Sequence, residues 1–167
     1  YYTVIWIQGG KGEHLIDFNR YPLGTNDVFF VAPRQVHRLL PTEKPHGWVI
    51  TFSRDFLAHN HINEDFITEM NLFGHFEERP PLQLPTEVAT RAQVLLSYLR
   101  DVYLSDEPYR MASMSAYLKL FLIDCHAQCQ LPEPLPGSDH GGSTILREFK
   151  KLITEHFRDQ HQVQEYA

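Results

Sequence analysis

The sequence, 167 residues long, contains no apolar run long enough to span a bilayer, and no signal peptide is recognisable. It has only two cysteines, Cys125 and Cys129. A metal site would need further Cys or His residues at ligand spacing, so we interpret both as reduced, apolar side chains of a cytoplasmic protein without membrane contact. The sequence also lacks a Gly-rich phosphate loop, a nucleophile paired with a base, and an internal repeat.

Positive charge is also scarce, because 15 Lys and Arg residues stand against 21 Asp and Glu, for a net charge of -6. DNA-binding surfaces are normally basic, since affinity depends largely on neutralising phosphates. We therefore do not expect this chain to carry a DNA-reading surface. Aromatic residues are abundant by contrast, at 13%, which favours large flat side chains in a core or a pocket.

The first third of the chain predicts β-structure. Segments rich in β-branched and aromatic residues alternate with turn residues, among them Gly9–Gly12 and Pro33. Five short strands are predicted in this way, at residues 1–8, 14–18, 28–31, 36–40 and 47–52. Strands this short and regularly punctuated indicate a sandwich or a small barrel rather than a sheet of alternating strands and helices.

The middle of the chain predicts helices. Residues 63–73 carry apolar side chains at helical spacing, and the proline-rich residues 80–85 predict an extended segment. Thr86 is a suitable N-cap for a helix reaching about Ser105, and a second helix should run from about Pro108 to Gln128. Strands followed by helices predict an α+β fold in which a β-sandwich or small barrel precedes a pair of helices.

The second of these helices has two apolar faces, whereas packing against its own domain requires only one. The first face contains Met111, Met114, Leu118, Phe121 and Cys125. The other face contains Ser113, Ala116, Leu120, Ile123 and Ala127. Either both faces have intramolecular neighbours, or one meets a symmetry-related copy. We predict a homodimer with Ser113, Ala116, Leu120 and Ile123 at its interface, although periodicity alone also allows the two faces to be exchanged.

The last part of the chain differs in composition. Residues 131–143 are rich in Pro, Gly and small polar residues and predict a linker. Residues 144–167 begin a new amphipathic helix whose apolar face has almost nothing to pack against. We therefore expect one domain over residues 1–130, the linker, and the truncated start of a second domain. Because the chain begins inside an apolar stretch, we also expect residues upstream of Tyr1 to be missing.

The order of these segments resembles that of AraC-type transcription regulators. The resemblance to the family's N-terminal cupin-like domain rests on GEHLIDF at 12–18, NDVFFVAPRQVH at 26–37 and GWVITFSRDFL at 47–57. ILREFKKLITEHF at 145–157 resembles the start of the family's helix-turn-helix domain. The resemblance implies a cupin-like barrel that binds a small-molecule effector, and a hairpin that dimerises. It also implies contact with DNA through the missing C-terminal domain, not through this fragment.

A metal-dependent enzyme is the alternative, because many cupins are metal enzymes. The resemblance to those enzymes implies three His and one Glu as ligands. His37 matches the His of the second cupin motif, whereas His14 stands alone at the first motif, with Ile16 where another ligand would be expected. Transition metals need three or four convergent ligands. We therefore predict that the chain has no metal, no cofactor and no catalytic residues.

Trp6, His37 and Thr51 are our candidates for contact with the effector. Trp6 is either a core residue or a pocket wall, and His37 either caps a turn at the barrel rim or contacts the ligand. Small-ligand pockets are mostly apolar with a few placed polar groups, and aromatic faces suit sugars or ring compounds. Strand alternation assigns Trp6 and Thr51 each to one face of its strand but does not show which face is inward.

Overall fold

A long bent strand, β1 (Tyr2–Ile16), organises an antiparallel sheet of five strands. The computed structural model describes residues 1–73 and 81–129, so the predicted linker and helix-turn-helix segment lie outside the described residues. The other strands are β2 (Asn19–Pro22), β3 (Asp27–Val31), β4 (His37–Phe52) and β5 (Leu82–Gln83). β4 pairs with β1 along one edge for its whole length, and β3 and β2 share the opposite edge.

The predicted turn at Gly9–Gly12 is wrong, because β1 continues through these residues. Its pairing with β4 shifts register between Ile7 and Gly12, as expected for β-bulges. Gly10 and Gly12 have φ values of 104° and 144°, which glycine adopts without the steric penalty of a side chain. The glycines therefore bend the strand instead of ending it. As a result, β1 joins the first two predicted strands, and β4 joins the last two.

The connections show how far β1 bends. Val31, at the end of β3, pairs with Thr3, whereas His37, at the start of β4, pairs with Ile16. The six residues from Val31 to His37 can cover at most about 22 Å. A straight strand from Thr3 to Ile16 would be about 43 Å long. The two ends of β1 must therefore approach each other, and the sheet curls into a half-barrel consistent with the predicted cupin-like fold.

The helices are α1 (Arg54–His59), α2 (Glu64–Met70), α3 (Thr86–Tyr103) and α4 (Arg110–Gln128). The last three lie where the sequence predicts helices. α1 was not predicted, because six residues are too few to show helical periodicity. Thr86 is not the N-cap of α3, since the cap position belongs to Pro85, which makes no side-chain cap bond.

α3 and α4 form the predicted hairpin. The Tyr98 and Tyr117 rings stack with their centroids 5.9 Å apart, and Arg91 Nε donates to Asp124 Oδ2 over 2.7 Å. Arg91 precedes Tyr98 by seven residues in α3, whereas Asp124 follows Tyr117 by seven residues in α4. The two helices are therefore antiparallel. Among the described helices, none is long and apolar enough to cross a membrane.

The main core lies between this hairpin and one face of the sheet. Tyr2, Val4 and Trp6 of β1 pack there. The helices contribute Leu96 from α3 and, from α4, Leu118, Phe121, Leu122 and Cys125. The sheet therefore covers one of the two predicted apolar faces of α4, and the α+β fold predicted from the sequence is confirmed.

Candidate functional site

The face of the sheet turned away from the hairpin has a smaller core of its own. Ile5, Ile7, Leu23 and Phe29 are buried there, and the partly buried Ile16, Tyr21 and Leu39 pack against them. We call this side of the sheet the inner face. It includes five positions of β1 and the residues that pair with them in the neighbouring strands. These five positions are Thr3, Ile5, Ile7, His14 and Ile16. We refer to the concave space that the inner face surrounds as the cup.

His14 and His37 form the polar centre of the inner face. Their ring nitrogens, Nε2 of His14 and Nδ1 of His37, lie 3.1 Å apart. His14 is completely buried and stands edge-on to Phe29, with ring centroids 4.6 Å apart. Phe29 pairs with Ile5, near the opposite end of β1. The contact between His14 and Phe29 therefore joins the two arms of the bent strand across the cup.

The other ring nitrogen of His14, Nδ1, is buried and has no hydrogen-bond partner among the described residues. Desolvation by burial, helped by the neighbouring His37, lowers the pKa of His14 to about 4. His14 is therefore neutral near pH 7, with one ring nitrogen that donates and one that accepts. Buried polar atoms nearly always have a partner, and an unpaired one is costly. A molecule bound in the cup could supply the missing partner.

The structure brings two of the three predicted effector contacts to the inner face. His37 bonds with His14, and Thr51 pairs with Thr3. Trp6 lies on the opposite face, in the core against the hairpin. Of the two interpretations considered for Trp6, the structure thus favours the core residue, whereas contact of His37 and Thr51 with a ligand stays a prediction.

His14 was considered only as a metal ligand and was set aside because it stands alone at the first cupin motif. Its place on the inner face also departs from regular strand alternation. Ile7 and His14 are an odd number of residues apart, so regular alternation would place them on opposite faces. The bulges at Gly9–Gly12 interrupt the alternation of side chains along the strand, so Ile7 and His14 both face inward. Glycines clustered inside an otherwise β-forming segment are the signal that could have indicated such a shift.

The cup is open along β4. Val49 pairs with the buried Ile5 yet is 67% exposed, and His37 and Thr51 are exposed as well. Two other clefts, of about 420 and 360 Å³, lie on the surface of the helices, outside the cup. Arg54 and Glu64, which line the larger one, form an ion pair with each other. We therefore take the cup as the candidate ligand site.

The ligand set that a transition metal requires is not assembled in the described part of the chain. No group of three or more His, Cys, Asp or Glu side chains there is placed to hold an ion. His14 and His37 offer two nitrogens and are bonded to each other, whereas protein sites for these metals use three or four ligands. Absence of a bound metal stays a prediction.

The residues predicted to form a dimer interface lie on the outer side of α4. Leu120 and Ile123 are 49% and 43% exposed, Ala116 is exposed, and Ser113 is half-buried. The opposite face of α4 carries Leu118, Phe121 and Cys125, all buried in the core. Leu118 and Phe121 therefore face the sheet, as the predicted arrangement requires. The buried face differs from the predicted one at two positions, because Met111 is exposed and Leu122 is buried.

The stability of the domain should fall as the pH decreases from about 6.5 to about 4. The unfolded chain protonates His14 near its ordinary pKa of 6.5, whereas burial and His37 hold the pKa at about 4 in the folded protein. Between these values protonation favours unfolding, and the loss is on the order of 3 kcal/mol. Urea unfolding at successive pH values measures it.

Two variants identify the group responsible for this loss. His14→Gln should unfold with a weaker pH dependence over the same range, because glutamine does not titrate. His46→Gln, which changes an exposed histidine of β4, should behave as the wild type because His14 is retained. An unchanged pH dependence in His14→Gln would assign the acid sensitivity to other groups.

Comparison with known protein families identifies a family for this chain. A family model described as the AraC-like ligand binding domain matches residues 1–121. No match to the chain was found among curated proteins. The matched residues include β1 to β5, both histidines of the cup and most of the helical hairpin.

Proposed function

Because the chain belongs to the family of AraC-like ligand binding domains, we propose that its cup binds a small effector and that its hairpin pairs two copies of an AraC-type transcription regulator. The observation that carries this proposal is the family match, which spans both the cup and most of the hairpin. A regulatory ligand-binding domain also accounts for a polar centre that lacks the ligand count of a metal enzyme.

Effector binding is supported by the composition of the inner face. Small-molecule sites are mostly apolar and contain a few polar groups that orient the ligand. Ile5, Ile7 and Phe29 supply the apolar wall, and the pair of His14 and His37 supplies the polar groups. The exposed His37, Val49 and Thr51 mark the side along β4 from which a ligand would enter.

Pairing of two copies is supported by the outer face of α4. Leaving Leu120 and Ile123 in water forgoes roughly 1.5–3 kcal/mol for each side chain that could be fully buried. A second copy related by a twofold axis would cover both residues, because the same face then meets itself. Ala116 has a small side chain, which would let the two α4 helices approach closely.

The mechanism we propose is a shift between arrangements of the dimer. An effector can change DNA binding only if its affinity differs between the competent and the incompetent arrangement. Residues 131–143 are the proposed linker through which the arrangement changes, and DNA is contacted by the domain that residues 144–167 would begin. An acidic sensing domain suits this division, since phosphate binding is then left to another part of the regulator.

A thermal-shift screen of sugars, aromatic acids and amino acids tests effector binding. A ligand present at about 100 times its Kd stabilises the folded state by about 2.7 kcal/mol, which should raise Tm by several degrees. Val49→Trp should abolish this shift, because the indole would occupy the open side of the cup. Phe18→Trp is the matched control, since Phe18 is fully exposed at the turn between β1 and β2. A ligand that stabilises Val49→Trp as strongly as the wild type binds outside the cup.

A further inference from the structure

We propose that the effector is an uncharged compound with a hydroxyl group on an apolar body, and that the pair of His14 and His37 holds this hydroxyl. The inference rests on the proposed function, because it names the chemistry of the molecule that the cup binds. Three observations support it: the charges of the inner face, the unpaired nitrogen of His14, and the apolar residues of the inner face.

The charges of the inner face disfavour an anion. Neither Lys nor Arg occupies any of the five β1 positions of the inner face or the positions paired with them. The carboxyl group among them belongs to Asp27, which pairs with Ile7 and is buried. A carboxylate ligand would therefore enter an apolar space beside another acid, without a cation to compensate its charge, and burying an unpaired charge is costly.

The unpaired nitrogen of His14 favours a hydroxyl group over other polar groups. If His37 donates to His14, Nδ1 of His14 carries a proton and needs an acceptor. If His14 donates to His37, Nδ1 is bare and needs a donor. A hydroxyl group can donate and accept, whereas an ammonium group only donates and a carboxylate only accepts. A hydroxyl is thus the simplest group that satisfies the pair in either tautomer.

The apolar wall sets the rest of the molecule. Ile5 and Ile7 of β1 form an apolar cluster with Phe29 of β3, whose ring contacts His14. Ile16 of β1 and Leu39 of β4 pack against this cluster. One oxygen of Asp27, Oδ2, is engaged elsewhere, because it accepts from the backbone N–H of Gly24 over 2.7 Å. A body that is mostly hydrocarbon loses little hydration in such surroundings. These surroundings therefore disfavour small, fully hydrated ions as well as acids.

Two matched sets of probes test the inference on the 167-residue chain near neutral pH. One set is cyclohexanol, cyclohexanecarboxylate and cyclohexylamine, and the other is phenol and benzoate. The readout is the nuclear magnetic resonance signals of the His14 and His37 rings and of the Ile5 and Ile7 methyl groups. We expect both alcohols to shift ring and methyl signals saturably, with the charged members binding more than about tenfold more weakly.

Variants show which group holds the hydroxyl. His14→Phe should weaken cyclohexanol and phenol about tenfold, because the hydrogen-bonding nitrogen is lost from a buried position. His46→Gln should leave both affinities unchanged. If His14→Phe does not fold, His37→Phe serves instead, because His37 is exposed and its replacement does not open the core.

The outcomes separate this inference from the proposed function. Carboxylates that bind as tightly as the alcohols, or alcohols that shift the methyl signals without the histidine signals, would overturn the inference and leave the cup as the effector site. If none of the probes shifts any inner-face signal, both the inference and the proposed site are wrong.

Discussion

Replacing Leu120 by Asp is expected to yield a folded monomer. Leu120 lies on the outer face of α4 and is 49% exposed in the single chain, so a carboxylate there is solvated as long as no second copy covers it. In the proposed dimer the twofold axis brings two such carboxylates together in an apolar interface, where uncompensated charge typically costs about 3–5 kcal/mol. Sedimentation velocity should show one copy where the wild type shows two, and circular dichroism should be unchanged.

Leu118→Asp is the matched control, two residues away on the same helix. Leu118 is only 2% exposed and packs in the core against the sheet. Asp at this position should unfold the domain, because the cost of a buried unpaired charge is comparable to a typical total stability of about 5–15 kcal/mol. A Leu120→Asp variant that remains both folded and dimeric would show that this face of α4 is simply solvent-exposed.

Gly47→Ala is expected to destabilise the domain by about 2–6 kcal/mol, since backbone strain and a rigid clash each contribute about 1–3 kcal/mol. Gly47 has a φ of 153°, which L side chains rarely adopt. A Cβ atom there would overlap the backbone oxygen of Trp6 in the adjacent strand, and neither atom can move without breaking the pairing of β1 with β4. Urea unfolding of the variant measures the loss.

Gly9→Ala provides the comparison within the same bulged region. The atoms nearest to its added Cβ belong to the imidazole of His46, an exposed side chain that can rotate away. The expected loss is about 1 kcal/mol or less. Equal losses in the two variants would mean that the close approach of the strands at Gly47 is not what fixes their pairing.

The helices of this domain could be predicted from the sequence better than its strands. The two faces of α4 follow from regular spacing, and the structure turns Leu118 toward the sheet and Leu120 outward as predicted. Helical spacing depends only on residues close to one another in the chain, so it can be recognised in a single sequence. Contact with a second copy is not encoded locally, and the dimer therefore stays a prediction.

The strands depart from prediction at their glycines. Gly9–Gly12 has the composition of a turn, and only the pairing of β1 with the distant β4 shows that the strand continues. The same bulges reverse the facing of His14 relative to Ile7 and bring His14 beside His37, a predicted site residue. Long-range pairing decided both points, and a single sequence does not reveal it.

The continuity of β1 has a mechanical consequence. Phe29 is attached to one arm of this strand and His14 belongs to the other, so the cup is not a gap between two sheets that can slide apart. Its width is set by backbone torsion angles in the bulged glycine segment, where rotation meets the least steric resistance. The curvature of the cup therefore depends on a few torsions within one strand.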